Sequence, residues 1–240
     1  MQHDRRDAAA GVVVVDVWLA RLDQPPARAE ALARSCSPAE RERAGRLLDP
    51  GRRRNRLVAR GVLRDVLAAQ LDTDPARLEI ARPPGGKPVL LGLPAPLHFS
   101  ISHSRDLALV AVSRHVEIGV DLESIDRSVD VDVLGHQVLR PGEQATLAVL
   151  PPGPRHVAFL RLWTAKEACL KATGVGLGAS PYHVAVSRDG TTAWSLWPPA
   201  ARPPAAWSLV ELPVPGARVA TLATRGAAPA LLRRHSWRPP

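Results

Sequence analysis

Apolar positions along this chain recur in two rhythms, every second residue and every third or fourth, and the changes between them mark its elements. "VVVVDVW" is an apolar run rich in valine, which predicts a first strand over about residues 12–19. "SCSPAERERAGRLL" follows with Ser37 as a helix cap, Pro38 at the first helical position and Glu40 three residues after the cap. Asp49-Pro50 repeats the device ahead of "GRRRNRLVARGVLRDVLAAQL", where Leu57, Val58, Leu63, Val66 and Leu67 form an apolar stripe on a helix with a basic outer face.

Beyond the Pro/Gly-rich loop "RPPGGKPVLLGLPAP", the period falls to two in "LHFSISH", "LALVAVS" and "VEIGVDLE". Short turns at Ser104-Arg105-Asp106 and Arg114-His115 predict an antiparallel meander of these three strands. A helical block covers about residues 130–172, with Pro141 opening one helix, and the strands "HVAVSRD", "AWSLVEL" and "RVATLAT" close the pattern. Each half thus reads as strand, helices, strands. The expectation is an α+β protein of two similar subdomains, residues 1–115 and 116–224, followed by a basic tail at 225–240 with little reason to be ordered.

Composition narrows the class. At 240 residues and 45% apolar content the chain can bury a substantial core. A net charge of +9 predicts attraction to polyanions, whether nucleic acid, a phosphate-rich small molecule or an acidic protein. Only 4% of residues are aromatic and none is interleaved with "RRRNR", so a base-stacking nucleic-acid surface is poorly supported. Cys36 and Cys169 match no metal or disulfide spacing and read as reduced thiols. Asp16 interrupts the N-terminal apolar run, and no other stretch approaches a bilayer span, which predicts a cytoplasmic protein without membrane association.

The candidate chemistry lies in the second half. Along "VEIGVDLES", Val116, Ile118, Val120 and Leu122 alternate onto one face, leaving Glu117, Gly119, Asp121 and Glu123 on the other. Asp121 and Glu123 are then about 7 Å apart, close enough to share a cation, with Gly119 leaving room for something large to approach. A solvated strand face is an equal alternative from spacing alone. On "FLRLWTAKEACLKATG", Leu160, Trp163 and Lys171 fall within about 40° of Glu167, so Glu167 and Lys171 sit among large apolar side chains on a helix with almost no solvated face. The "GVGLGA" run follows a helix and not a strand, which argues against a dinucleotide fold and makes Gly174 a helix C-cap. His103, between Ser102 and Ser104, is either structural or part of a phosphate site together with Lys87 and the arginines of the long helix.

Taken together, "GKP" (86–88), "FSISHS" (99–104), "IGVDLE" (118–123) and "WTAKEACLKATGVGL" (163–177) resemble, in order and spacing, the 4′-phosphopantetheinyl transferases of the surfactin-synthetase type. That resemblance covers about residues 12–222. It implies a pseudo-twofold pair of α+β halves in a monomer, with coenzyme A and Mg²⁺ bound in the cleft between them. It further implies transfer of phosphopantetheine from coenzyme A to a serine of an apo acyl or peptidyl carrier protein, releasing adenosine 3′,5′-bisphosphate. By position, Asp121, Glu123 and Glu167 match the metal ligands, Lys171 the diphosphate contact, and Lys87, Ser102 and His103 the phosphate contacts of the nucleotide end. Where relatives carry lysines in the first helix this chain has "ERERAGR", so Arg43 is the match and Arg41 a weaker one, while Arg56 aligns near the adenine and 3′-phosphate. Glu167, or a metal-bound water near it, is the candidate base for the carrier serine.

Physical chemistry accords with that assignment. Attack on a diphosphate builds charge on phosphoryl oxygens, and carboxylate-held Mg²⁺, with Mn²⁺ as a substitute, plus an ammonium can stabilise it. The competing expectations are a nonenzymatic nucleic-acid binder, motivated by charge, and a degenerate relative kept as a binding partner. One oddity stands beside them: of 32 basic residues only Lys87, Lys166 and Lys171 are lysine.

Overall fold

The first described element is β1 (Val14–Arg21), and the chain then winds through α1 (Pro26–Ser35), α2 (Pro38–Gly45) and α3 (Pro50–Leu71). The computed structural model describes residues 13–83, 86–126, 128–174, 180–187, 189–195, 206–226 and 230–238. The predicted caps are present. Ser37 Oγ accepts the Glu40 amide at 3.2 Å while Glu40 Oε2 accepts the Ser37 amide at 2.9 Å, and Asp49 Oδ1 accepts the Arg52 amide at 2.6 Å. Sequence reading missed α1, which starts on Pro26 without any side-chain cap.

Beyond α3 come the short strands β2 (Ile80–Ala81) and β3 (Val89–Leu90), then β4 (His98–Ser104), β5 (Leu107–Ser113) and β6 (Ile118–Ser124). Three helices follow, α4 (Val131–Val138), α5 (Pro141–Ala148) and α6 (Pro152–Thr173). The remaining strands are β7 (Val184–Val186), β8 (Thr192–Ser195), β9 (Ala206–Glu211), β10 (Arg218–Arg225) and β11 (Leu231–Ser236). Among the described residues, no helix is long and apolar enough to cross a membrane.

The larger sheets run β11-β1-β5-β4 and β6-β10-β9-β8-β7. Two expectations are corrected here. The meander stops after β4 and β5, because β6 leaves to pair antiparallel with β10 in the other sheet. The basic tail is not a loose end: β11 lies parallel to β1 from Val14↔Leu231 to Leu19↔Ser236. Leu232 packs into the inter-sheet core and Trp237 onto the N-terminal core, so the tail carries its own apolar anchors.

Alternation on β5 shows how the layers stack. Ala108, Val110 and Val112 face the core under α3, whereas Leu107, Leu109 and Ala111 meet Ile118, Val120, Leu122, Ala220 and Leu222 of the second sheet. On that sheet's far side, Ala168, Cys169 and Ala172 of α6 pack against Trp207 and Leu209. The order of layers is therefore α3, sheet, sheet, α6. Both cysteines are free and buried, and burial pushes the Cys36 thiol up to about 11 and Cys169 higher still.

At the edge of this stack the apolar interface becomes hydroxylic. Ser100, Ser102 and Ser104 of β4 lie on the same face as the inter-sheet residues of β5. Their Oγ atoms accept the amides of Val120, Leu122 and Ser124 at 3.0, 3.2 and 3.2 Å. These amides point away from β10, so the serines stand in for a missing strand partner on the edge of the second sheet.

Candidate active site

Gly119 decides how closely α6 approaches β6. A Cβ there would lie 1.9 Å from the Ala168 carbonyl oxygen and 2.6 Å from the Ala172 amide nitrogen. The large object that Gly119 admits is thus the helix backbone itself. This close packing carries Lys171 onto the strand, where its Nζ donates to Asp121 Oδ1 at 2.6 Å, Ser102 Oγ at 3.0 Å and the Val120 carbonyl at 3.3 Å. All three ammonium donors are used.

Asp121 is 5% exposed, and its two oxygens differ. Oδ1 accepts both Ser102 Oγ, at 2.9 Å, and Lys171, whereas Oδ2 is buried with no hydrogen-bond partner. A buried carboxylate oxygen left open in this way is a fitting point for a cation. Glu123 follows on the same strand face and accepts Ser104 Oγ at 3.5 Å. Glu167 lines a cavity of about 770 Å³ beside them, together with Lys171, Lys87, Trp163, Arg60 and Arg82. Among the described residues no three His, Cys, Asp or Glu side chains are grouped so as to hold a metal ion, so Asp121, Glu123 and Glu167 are not gathered into one ligand set here. Buried Asp121 Oδ2 would offer a hard divalent ion one oxygen, and the ion would draw its other ligands from outside such a group.

Lys87 reaches the same cavity from the loop before β3. Its Nζ donates to the Ile118 carbonyl at 2.6 Å and its amide donates to the Gly174 carbonyl at 3.3 Å. Burial lowers its pKa to about 8, against the opposing pull of Glu117. Gly174, at φ +74°, ends α6 in the left-handed conformation that its C-cap reading requires. The rest of that glycine run, 175–179, lies outside the described residues.

The opposite wall is built from guanidinium groups. Arg56 and Arg60 are one turn apart on α3, and Arg82 follows β2. Desolvation pulls Arg60 down to about 10, reinforced by Arg82, Arg56 and Arg43, so it stays cationic at neutral pH in a crowd of like charge. His103 points to this side of β4. Its surface is open, but surrounding protein displaces bulk water, and with Arg56, Arg60 and Lys171 repelling a proton its pKa falls to about 4. Arg43 belongs to the same field, while Arg41 is tied locally to the Cys36 carbonyl. Sequence reading missed Arg60 and Arg82. The i,i+4 spacing from Arg56 was the available signal for Arg60, whereas Arg82 arrives by tertiary folding alone.

Lys166 does not serve this site. It is fully buried, with Nζ 2.8 Å from Glu143 Oε2 and bonds to the carbonyls of Pro181 and Val184. Glu143 also accepts the amides of Arg140 and Val186, so the pair joins α5, α6 and β7. Its place next to Glu167 in sequence is incidental, since adjacent helical residues face different ways.

Comparison with known proteins assigns the lineage. A family model described as the 4′-phosphopantetheinyl transferase superfamily matches residues 117–223, which run from just before β6 into β10. Over 214 residues the chain is 36% identical to the 4′-phosphopantetheinyl transferase HetI of Nostoc sp., an alignment spanning 88% of each chain. The chain belongs to the 4′-phosphopantetheinyl transferase superfamily. It is also 37% identical over 164 residues to a putative 4′-phosphopantetheinyl transferase of Synechocystis sp., covering 67% of this chain and 65% of that one. A third relative is the L-aminoadipate-semialdehyde dehydrogenase-phosphopantetheinyl transferase of Mus musculus, 32% identical over 64% of this chain and 53% of its own. The superfamily match holds Asp121, Glu123, Glu167 and Lys171, while the arginine wall lies N-terminal to it.

Proposed function

We propose that this chain transfers the 4′-phosphopantetheine group of coenzyme A to a serine hydroxyl of an apo acyl or peptidyl carrier protein. It does so as a monomer of the surfactin-synthetase-activating type, in a cleft between two α+β halves related by a pseudo-twofold. The observation that carries the reading is the Lys171–Asp121 pair, with one carboxylate oxygen open, beside a cavity walled on its other side by Arg60 and Arg82. That asymmetry suits a polyanion whose reacting diphosphate and terminal phosphate need different treatment.

In this scheme Asp121, Glu123 and Glu167 are the residues that would hold Mg²⁺ or Mn²⁺, and the ion would supply Lewis-acid stabilisation of phosphoryl charge. Lys171 places an ammonium against the diphosphate. Arg56, Arg60, Arg82 and Lys87 draw in and orient the nucleotide end, and neutral His103 offers a ring nitrogen without adding charge. Glu167 takes the proton as the carrier serine oxygen attacks the β-phosphorus. A new serine–phosphorus bond forms, the bond from that phosphorus to the bridging oxygen breaks, and adenosine 3′,5′-bisphosphate leaves with the electron pair.

The test is direct. Incubated with coenzyme A, Mg²⁺ and a panel of apo carrier proteins from fatty-acid, polyketide and peptide synthesis, the protein is expected to add one phosphopantetheine to at least one of them. Intact-mass spectrometry reads the gain, and no gain on any carrier overturns the assignment.

A further inference from the structure

Arg56, Arg60 and Arg64 follow one another at four-residue steps on α3, so their side chains climb one face of the helix. The inner end of this ladder is paired. Arg64 is 1% exposed, and its guanidinium donates to Glu40 Oε2 at 2.8 Å and to the carbonyls of Pro75 and Leu78 at 2.9 and 3.1 Å. Glu40 is 5% exposed, and the same Oε2 accepts the Ser37 amide at 2.9 Å, which fixes the carboxylate at the root of α2. The outer end is not paired. Among the described residues, no hydrogen bond or salt bridge ends on Arg56 or Arg60, nor on Arg43 of α2 or on Arg82 beyond β2.

Unpaired guanidinium groups so close together raise the free energy of the fold by mutual repulsion. Arg60 is repelled by Arg82, Arg56 and Arg43, and Glu40 is the carboxylate whose charge opposes that repulsion at both Arg60 and Arg82. One helical turn separates Arg60 from the arginine that Glu40 pairs with. A bound polyanion would relieve the same repulsion. Whatever relief Glu40 already provides is relief that a ligand no longer gains by binding.

We propose that Glu40 is the resident counter-charge of the arginine wall, which holds the unpaired guanidinium groups together before a nucleotide binds and weakens their grip on its phosphates. The proposal rests on reading this cleft as the coenzyme A site. Glu40 touches no ligand and acts through Arg60 and Arg82, as a positioning residue. Its consequence lies in turnover. Adenosine 3′,5′-bisphosphate keeps the nucleotide end of coenzyme A, so a wall at full strength would hold the product as firmly as the donor. A buried carboxylate behind the wall lowers both affinities and lets the product leave.

The experiment separates this local charge from net charge and from shape. Affinities for coenzyme A and for adenosine 3′,5′-bisphosphate are measured by calorimetry on the full chain in EDTA. Glu40→Gln is expected to tighten both about tenfold, whereas Glu40→Asp, which keeps the charge, is expected to stay within about threefold of the unaltered protein. Glu42→Gln makes the same change in net charge on the solvated side of α2, where Glu42 pairs with Arg46, and is expected within about twofold. Unchanged or weaker binding in Glu40→Gln overturns the proposal. Equal tightening in Glu42→Gln or in Glu40→Asp overturns it as well.

Glu40→Gln also leaves Arg64 buried without its counter-ion, so its melting temperature is expected to fall. Adding Arg60→Gln to that chain thins the crowd of like charge and is expected to restore more of the melting temperature than Arg60→Gln adds to the unaltered protein. Equal effects in the two backgrounds, or failure of both Glu40→Gln chains to fold, overturn the proposal. A protein that binds coenzyme A but modifies no carrier defeats the transferase reading and leaves the Glu40 comparison readable. Transfer with unchanged affinities in Glu40→Gln defeats the counter-charge alone.

Discussion

The two long helices are alike in form and opposite in chemistry. α3 and α6 each have 22 residues, each begins with proline, and each ends on a left-handed residue, Asp72 at φ 51° and Gly174 at φ 74°. From α3 the cleft receives Arg60, which is repelled by Arg56 one turn away and by its neighbour Arg82. From α6 it receives Lys171, whose three donors all end on named acceptors. One wall supplies a field and the other a fixed geometry. A field tolerates change in the shape of its charges, whereas a set of converging acceptors does not.

The largest effects are expected where geometry is fixed. Asp121→Ala should abolish transfer, and Lys171→Arg should lower kcat at least about a hundredfold, because a planar fork cannot meet three acceptors arranged around a compact ammonium. Steady-state rates with a responsive carrier check both, and near-normal turnover in Lys171→Arg would erase the contrast with the arginine wall. Next comes Gly119→Ala, whose methyl meets helix backbone that cannot swing aside. Its stability should fall by about 3 kcal/mol, read by urea unfolding. Gly61→Ala makes the matching test on α3, where the new Cβ lies 2.5 Å from Leu32 Cβ and 2.8 Å from the Leu32 carbonyl oxygen of α1. A loss of about 1–3 kcal/mol is expected there.

Arg60→Lys tests the other side of the contrast. Retaining charge while losing the fork should change coenzyme A affinity by no more than about threefold, while Arg60→Ala should cost about tenfold and be softened by added salt. The smallest effect is in pH. Lys87 is protonated below about 8 and neutral above, so coenzyme A affinity should decline as pH rises from 7 to 9. Lys87→Arg should flatten that slope, as measured by calorimetry.

The lysine puzzle resolves in the same physical language. Lys87 donates to a strand carbonyl, Lys166 to Glu143 and two carbonyls, and Lys171 to a carboxylate, a hydroxyl and a carbonyl. Lys166 and Lys171 each bring three acceptors to one nitrogen, whereas Lys87 donates to a single strand carbonyl. Only two of the three belong to the cleft, and the helical spacing of "AKEACLK" already separates them, since Lys171 shares the face of Glu167 and Lys166 does not.

Local signals were legible wherever one short stretch determined the outcome. Ser37 and Glu40 announced their capping box, Gly174 its left-handed turn, and the alternation in "IGVDLE" the face that carries Asp121. What escaped were choices made by distant partners. β6 pairs with β10, about a hundred residues away, although its own pattern was equally compatible with extending the hairpin. α1 lacks a polar cap, Arg82 enters the cleft by tertiary folding, and β11 looked like a charged tail because its edge position needs few apolar residues.

That last strand has a mechanical consequence. β1 and β11 run parallel through six registered pairs. Tension applied at Val13 and Trp237 would draw the two strands in opposite directions along their length and load the hydrogen bonds between them together in shear. Held by its ends, the molecule should resist as a clamp and yield abruptly, whereas a hairpin pulled at its open end would unzip one bond at a time.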